Sequence, residues 1–386
     1  MNTPNQRLLS LDAFRGFIMI MMASSGFGFA EMAKAQPDSA VWSFLASQTS
    51  HREWVGCSFW DLIQPSFMFM VGLAMAWSYA KRRESGQGFF GLLIHAKIRA
   101  VVLVLLGVLL ASKNQKETLW IFTNVLAQIG LGYIFLFILW SLGWEAQIAL
   151  CIVILAGYGA WFGMFQVRGS PLDYAQTPVE QAGALTGFFN HWSAHINAAA
   201  DFDRWFLNLL PRAKEHVFQA GGYQTLNFVP ALVTMTLGLL TGSYLRREGS
   251  DGRKCARLVI AGILLLLVGT VLGLLVCPLV KRIWTPSWTL FSGGWVLLLL
   301  AAFYWLVEIA GFRRLVFPLV VVGMNSIFIY LMHSLCAGWI RETLKIHFGT
   351  YLFHGDYLPI IERCSVLLVL WLLCWWLHKQ RAYLRI

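Results

Sequence analysis

Apolar stretches wide enough to cross a bilayer recur along the chain at about 11–29, 57–80, 98–112, 122–142, 146–165, 225–245, 256–276, 289–308, 315–335 and 360–378. A hydrocarbon core takes roughly 20 apolar helical residues per crossing, and in it only a helix or a closed barrel satisfies its own backbone. The pattern predicts an all-α, polytopic transmembrane helix bundle of about ten spans, in the range of roughly nine to eleven. The third stretch is short, and polar Asn124 and Gln128 interrupt the fourth. Residues 1–386 read as a single transmembrane domain with a long outer loop at about 166–225. In that loop Phe202, Trp205, Phe206 and Leu209 recur at helical spacing, which predicts an amphipathic segment packed over the bundle. Met1 to Ser10 is polar, and no small-residue cleavage pattern follows the apolar run from Phe14, so this run reads as a retained first helix.

Composition supports the bilayer and adds an orientation. Apolar residues make up 58% of the chain and charged ones 13%, and the 18 Trp suit interfacial belts. The net charge of +11 is accounted for by basic residues at helix ends and needs no nucleic acid. Arg7, Lys81, Arg82, Arg83, Lys97, Arg99, Arg246, Arg247, Arg253, Lys254, Arg257, Arg313, Arg314, Lys379, Arg381 and Arg385 fall on one side. The opposite side has long loops with sparser cations, among them Arg168, Arg204, Arg212 and Lys214. The positive-inside rule then gives both termini in the cytosol, N-in and C-in, and puts His51 on the outer face.

Ionisable groups in or beside apolar spans are costly and usually mark a cavity. His51 precedes the second span, and Asp61 follows ten residues later, so a carboxylate can return to orient an imidazole that works near neutral pH. An interfacial anchor is the plainer account of His51. Asp12 and Arg15 share a face of the first helix, Asp61 and Gln64 a face of the second, where Pro65 is expected to open a gap in the backbone ladder. Asn325, Ser326 and His333 lie in the ninth span. His191 and His195 have metal-ligand spacing without a zincin glutamate, and no metal is expected. The seven cysteines form no CxxC; Cys277 and Cys336 fall near the same face and could pair. Trp42, Trp54, Trp192, Trp205, Trp284 and Trp288 could stack on a sugar or anchor in the headgroups.

Four motifs carry a family resemblance. They are Ser10-Leu11-Asp12-Ala13-Phe14-Arg15-Gly16, then His51 with Trp54 and Asp61-Leu62-Ile63-Gln64-Pro65-Ser66-Phe67, then Asn124 through Tyr133, and Gly323 through Tyr330 with His333. In order and spacing they resemble the heparan-α-glucosaminide N-acetyltransferase family of transmembrane acyltransferases, in its bacterial branch linked to N-acetylglucosamine use. Ser24-Ser25-Gly26 and Gln128 depart from a relative with asparagine and arginine at those places.

The resemblance implies a bacterial inner-membrane enzyme that takes acetyl from cytosolic acetyl-CoA and delivers it to the amine of a glucosamine-type sugar at the outer, periplasmic face. His51 matches the family histidine, as base or as acetyl carrier, with Asp61 fixing its tautomer. Arg15, Arg82, Arg83 and Arg99 are candidates for the CoA phosphates, with Gln128 and Asn325 as amide contacts to the donor. Trp54, Asn124 and His333 are the candidate sugar contacts. Thioester aminolysis needs no metal. Membrane lipids surround such a protein, and a homodimer is compatible with it. The alternative is an amino-sugar transporter without chemistry, for which no inverted repeat is visible.

Overall fold

The computed structural model describes residues 8–167, 183–349 and 351–384. Arg7, Arg168 and Arg385, and residues 168–182 of the outer loop, lie outside the described residues. Those described are helical, with no strand beyond an isolated antiparallel bridge between Val55 and Val280. The helices are α1 (Leu9–Ala23), α2 (Phe29–Ala35), α3 (Ala40–Gln48), α4 (Ile63–Glu84), α5 (Phe89–Ala111), α6 (Val125–Trp140) and α7 (Trp144–Met164). They continue as α8 (Ala198–Asn208), α9 (Phe228–Leu245), α10 (Asp251–Leu275), α11 (Pro286–Tyr304), α12 (Phe317–Gly323), α13 (Ser326–Phe348) and α14 (Leu358–Lys379).

Among the described residues seven helices are long and apolar enough to cross a membrane, or nine when two bent pairs are each taken as one span. This is an integral membrane protein. One bent pair joins α1 to α2 at 45°, through a turn in which Ser25, Gly26, Phe27 and Gly28 all have positive φ. The other joins α12 to α13 at 77°, so the ninth apolar stretch is broken at Met324-Asn325 rather than continuous. The fourth stretch shortens to the 16 residues of α6, because Asn124 caps it by accepting from Ala127 N. The third is longer than its apolar run: α5 begins at Phe89, ahead of the His95 and Lys97 that cut the run short, and His95 and Arg99 face a cavity.

Helix α4 is the spine of the bundle. It packs on α9 at backbone contact, because a Cβ at Gly72 would overlap the Met235 carbonyl and one at Gly238 the Phe69 carbonyl. Gly16 and Gly323 bring α1 and α12 together in the same way. Pro65 sits in the first turn of α4, where its missing N–H leaves no gap in the ladder, which corrects that expectation.

A second hydrophobic cluster closes the end of the bundle expected to face outward, where Trp54, Trp192, Phe162, Val280 and Ile283 pack together. Trp54 donates from Nε1 to the Trp192 carbonyl at 2.9 Å. Trp192, Trp284 and Trp288 are equally buried, so these four tryptophans are core, neither belt nor sugar platform. Helix α8 forms as the spacing predicts, but Ala199, Asp203 and Leu207 face inward while Trp205 and Leu209 face out. Cys277 is buried in the outer cluster, whereas Cys336 packs on the main core; both are free thiols. His191 lies on a short 3-10 turn and His195 beyond it, so the pair does not share a helical face.

Candidate functional site

Two cavities are lined by α4 and share Phe67 as a wall residue. The one at the cation-bearing end, termed inner after the orientation expected from the sequence, has a volume of about 570 Å³ and takes Phe67, Met70, Val71, Ala74, Ser78, Lys81 and Arg82 from that helix, which is helical spacing along a single face, and Ser85 from its C-cap. The outer one, about 300 Å³, takes Ile63, Gln64 and Phe67 from its first turn. Phe67 lines both, with its ring stacked on Tyr330 of α13 at 6.4 Å.

Cations from separate elements line the inner cavity. Arg15 comes from α1, Lys81 and Arg82 from the last turns of α4, and Arg99 from α5, which also contributes the imidazole of His95 to the lining. Tyr383 and Leu384, beyond α14, complete the wall. The Arg99 guanidinium lies 4.9 Å from the Tyr133 ring centroid, and its Nε is buried with no hydrogen-bond partner among the described residues. Such an orphaned donor is costly unless an acceptor reaches it. Arg15 stands 3.7 Å from Asp12. Arg83, the fourth candidate, is not among the lining residues.

The outer cavity is built around His51. Its Nδ1 is 2.7 Å from Asp61 Oδ1, which leaves Nε2 available. Asp61 stands on the 3-10 turn Phe59–Leu62 ahead of α4, where it closes a capping box. Its Oδ2 accepts from Ser58 N at 3.1 Å, Ser58 Oγ at 2.9 Å and Arg52 N at 3.2 Å, so the carboxylate is held rigidly and only Oδ1 faces the histidine. Lys281 Nζ lies 3.3 Å from the same Oδ1 and 3.1 Å from His51 Nδ1. The loop before α11 is brought there by the Val55–Val280 bridge and by Gly56 N, which donates to the Leu279 carbonyl at 2.9 Å. Desolvation holds the His51 imidazole below its ordinary value, helped by Lys281 and Arg282 and opposed by the Asp61 hydrogen bond and charge. His51 is then neutral, and able to accept a proton, through the neutral pH range.

His333 also lines this cavity, paired with Ser25 Oγ at 2.9 Å, and Tyr223, Gln64 and Tyr330 are further polar groups on its walls. The remaining candidates lie elsewhere. Trp54 is buried in the outer cluster. Asn124 caps α6 and donates to the Gly107 carbonyl at 2.9 Å. Gln128 spends its amide N–H groups on the carbonyls of Phe122, Gln224 and Thr225. Asn325, fully buried at the α12–α13 break, donates to Ala382 O at 3.3 Å and accepts from Leu384 N at 3.1 Å, so it anchors the segment that walls the inner cavity. Lys281, Tyr223 and Gln64 were not singled out as site residues by sequence reasoning. For Gln64 the signal was present, one turn from Asp61; for Lys281 it was hidden in an ordinary interfacial Lys-Arg pair.

Among the described residues no group of three His, Cys, Asp or Glu side chains could hold a metal ion. No family model matches the chain. Among curated proteins it is similar to the heparan-alpha-glucosaminide N-acetyltransferase of Homo sapiens, at 23% identity over 376 residues, covering 85% of this chain and 53% of that protein. The chain thus spans about half the length of that relative, and the likeness supports the family that the four motifs point to.

Proposed function

We propose that this protein is a transmembrane N-acetyltransferase that moves an acetyl group from acetyl-CoA, bound in the inner cavity, to the amine of a glucosamine-type sugar in the outer one. The observation that carries this reading is the pair of cavities sharing Phe67, one edged by cations and the other holding an imidazole backed by a carboxylate. Three guanidinium groups and a lysine suit the phosphates of CoA, since arginine binds phosphate oxygens bidentately. The unpaired Arg99 Nε is a donor waiting for such an oxygen. The apolar stripe from Met70 to Phe67 suits the uncharged pantetheine arm, which then presents its thioester near His51. The cation-rich end is the cytosolic one under the positive-inside rule, which makes the His51 end periplasmic in a bacterial inner membrane. With α6 as a short tenth crossing, both termini lie in the cytosol.

In this reading both substrates occupy the protein together and transfer is direct. The neutral amine attacks the thioester carbonyl, forming the C–N bond, while His51 Nε2 takes the amine proton. Asp61 holds the tautomer that leaves Nε2 free and stabilises the imidazolium. The C–S bond then breaks, and the thiolate receives a proton from His51. Gln64 and Tyr330 are the uncharged donors on the cavity wall for the carbonyl oxygen as it gains charge. Tyr223 and His333 are contacts for sugar hydroxyls.

Acetyl-CoA binding by calorimetry in detergent, at fixed moderate salt, tests the donor site. Arg99→Ala or Arg82→Ala should each weaken acetyl-CoA binding by on the order of tenfold, the worth of one or two charged hydrogen bonds, and leave the Michaelis constant for glucosamine near wild type. Wild-type protein that binds no acetyl-CoA would overturn the reading; an amino-sugar carrier predicts that result.

A further inference from the structure

Lysine is among the residues least often buried, yet the Lys281 side chain keeps only 5% of its surface exposed. Its position relative to the His51–Asp61 pair is specific. Asp61 Oδ2 is filled by Ser58 and Arg52, so lysine and histidine share Oδ1. With Nδ1 giving its proton to that oxygen, the Lys281 hydrogen bond also goes to Oδ1. Its 3.1 Å approach to Nδ1 then becomes a contact between like charges whenever the ring is protonated.

We propose that Lys281 is a positioning residue of the transfer site, which holds Asp61 on His51 and keeps the imidazole a neutral base that readily gives up the proton it captures. The inference rests on the function proposed above and deepens it. In the reaction the amine proton passes to His51 Nε2 as the C–N bond forms, and from there to the departing thiolate sulfur as the C–S bond breaks. A carboxylate alone would stabilise the imidazolium and slow the second transfer; the adjacent ammonium offsets that, so both proton transfers remain open to one group near neutral pH.

Of the other charges around the ring, only Arg282 pushes the same way, and it does so less than Lys281. Arg282, next to Lys281, turns its guanidinium to the carbonyls of Gly221 and Arg52. Arg52, on the same loop as His51, meets Asp61 through its backbone N–H. Cys57, whose thiol burial pushes up to about 12, stays uncharged. Across the cavity stand Tyr223 and His333, the latter bonded to Ser25.

The test is Lys281→Met beside Lys281→Arg, read by NMR titration of ring-labelled histidine with the His51 signal assigned by its loss in His51→Gln. The pH profile of kcat/KM, referred to the neutral-amine fraction of the acceptor, is measured on the same proteins, and acetyl-CoA binding reports that each is folded. In Lys281→Met the His51 midpoint should rise by about one pH unit or more, and the acid limb of kcat/KM should move up with it, while Lys281→Arg keeps both near wild type. An unmoved His51 midpoint in Lys281→Met would overturn the inference, as would a raised midpoint with an unmoved acid limb. Wild-type protein without acetyl transfer would instead defeat the proposed function, an outcome separate from the titration because NMR needs no turnover.

Discussion

His51→Ala should lower acetyl transfer to a glucosamine acceptor on the order of a thousandfold, the contribution expected of a positioned general base, and leave acetyl-CoA binding near wild type. The two effects separate because the residue sits on the loop ahead of α4 with 41% of its side chain exposed, on the far side of Phe67 from the cations of the inner cavity. The loop itself is held by Trp54, Gly56 and the Val55–Val280 bridge, none of which needs the imidazole. The wild-type pH profile carries a related signature. Since the folded protein holds His51 below its ordinary value, kcat/KM referred to the neutral-amine fraction of the acceptor should stay level through neutrality and fall only at a pH more acidic than that at which a free histidine protonates. Turnover by His51→Ala at the wild-type rate would reject the assignment.

Asp61→Asn should be nearly as damaging, for a reason the geometry makes explicit. The side chain serves two edges at once: Oδ2 receives two backbone N–H groups and a hydroxyl, and Oδ1 receives His51 Nδ1 and Lys281. An amide has one acceptor edge. With its oxygen on Ser58 and Arg52, its NH₂ faces His51 Nδ1, which must then accept; the ring takes the other tautomer, and Nε2 carries the proton it is meant to capture. Lys281 loses its counter-charge at the same time. A loss of kcat/KM on the order of a thousandfold is expected, with acetyl-CoA binding retained. Near wild-type kcat/KM in this variant would show that the carboxylate does not set the tautomer.

Much of this arrangement was legible in the residues, and the gaps have physical causes. His51 and Asp61 stood out because charge is rare in this chain and their spacing matches a turn leading into a helix. Lys281 lies 230 residues from His51, and nothing local separates it from an interfacial cation; only the pairing of the Val55 and Val280 segments brings it in. Trp54 is buried in a second core, and a tryptophan at a helix approach has the same sequence signature whether it faces lipid, sugar or such a core. The apolar run starts only at about 98 because His95 and Lys97 precede it, whereas α5 begins at Phe89, and of these two His95 lines a cavity. Asn325, expected to contact the donor, pairs its amide with the main chain after α14 at a bend that hydropathy does not register.

The most direct test of the central claim is transfer across a sealed membrane. Purified protein is reconstituted in liposomes with glucosamine trapped inside, acetyl-labelled acetyl-CoA is added outside only, and the lumen is assayed. The account predicts labelled N-acetylglucosamine inside, free CoA outside in matching amount, and neither with His51→Ala. Glucosamine that leaves the liposomes unacetylated, or wild-type protein that forms no labelled product, would contradict it.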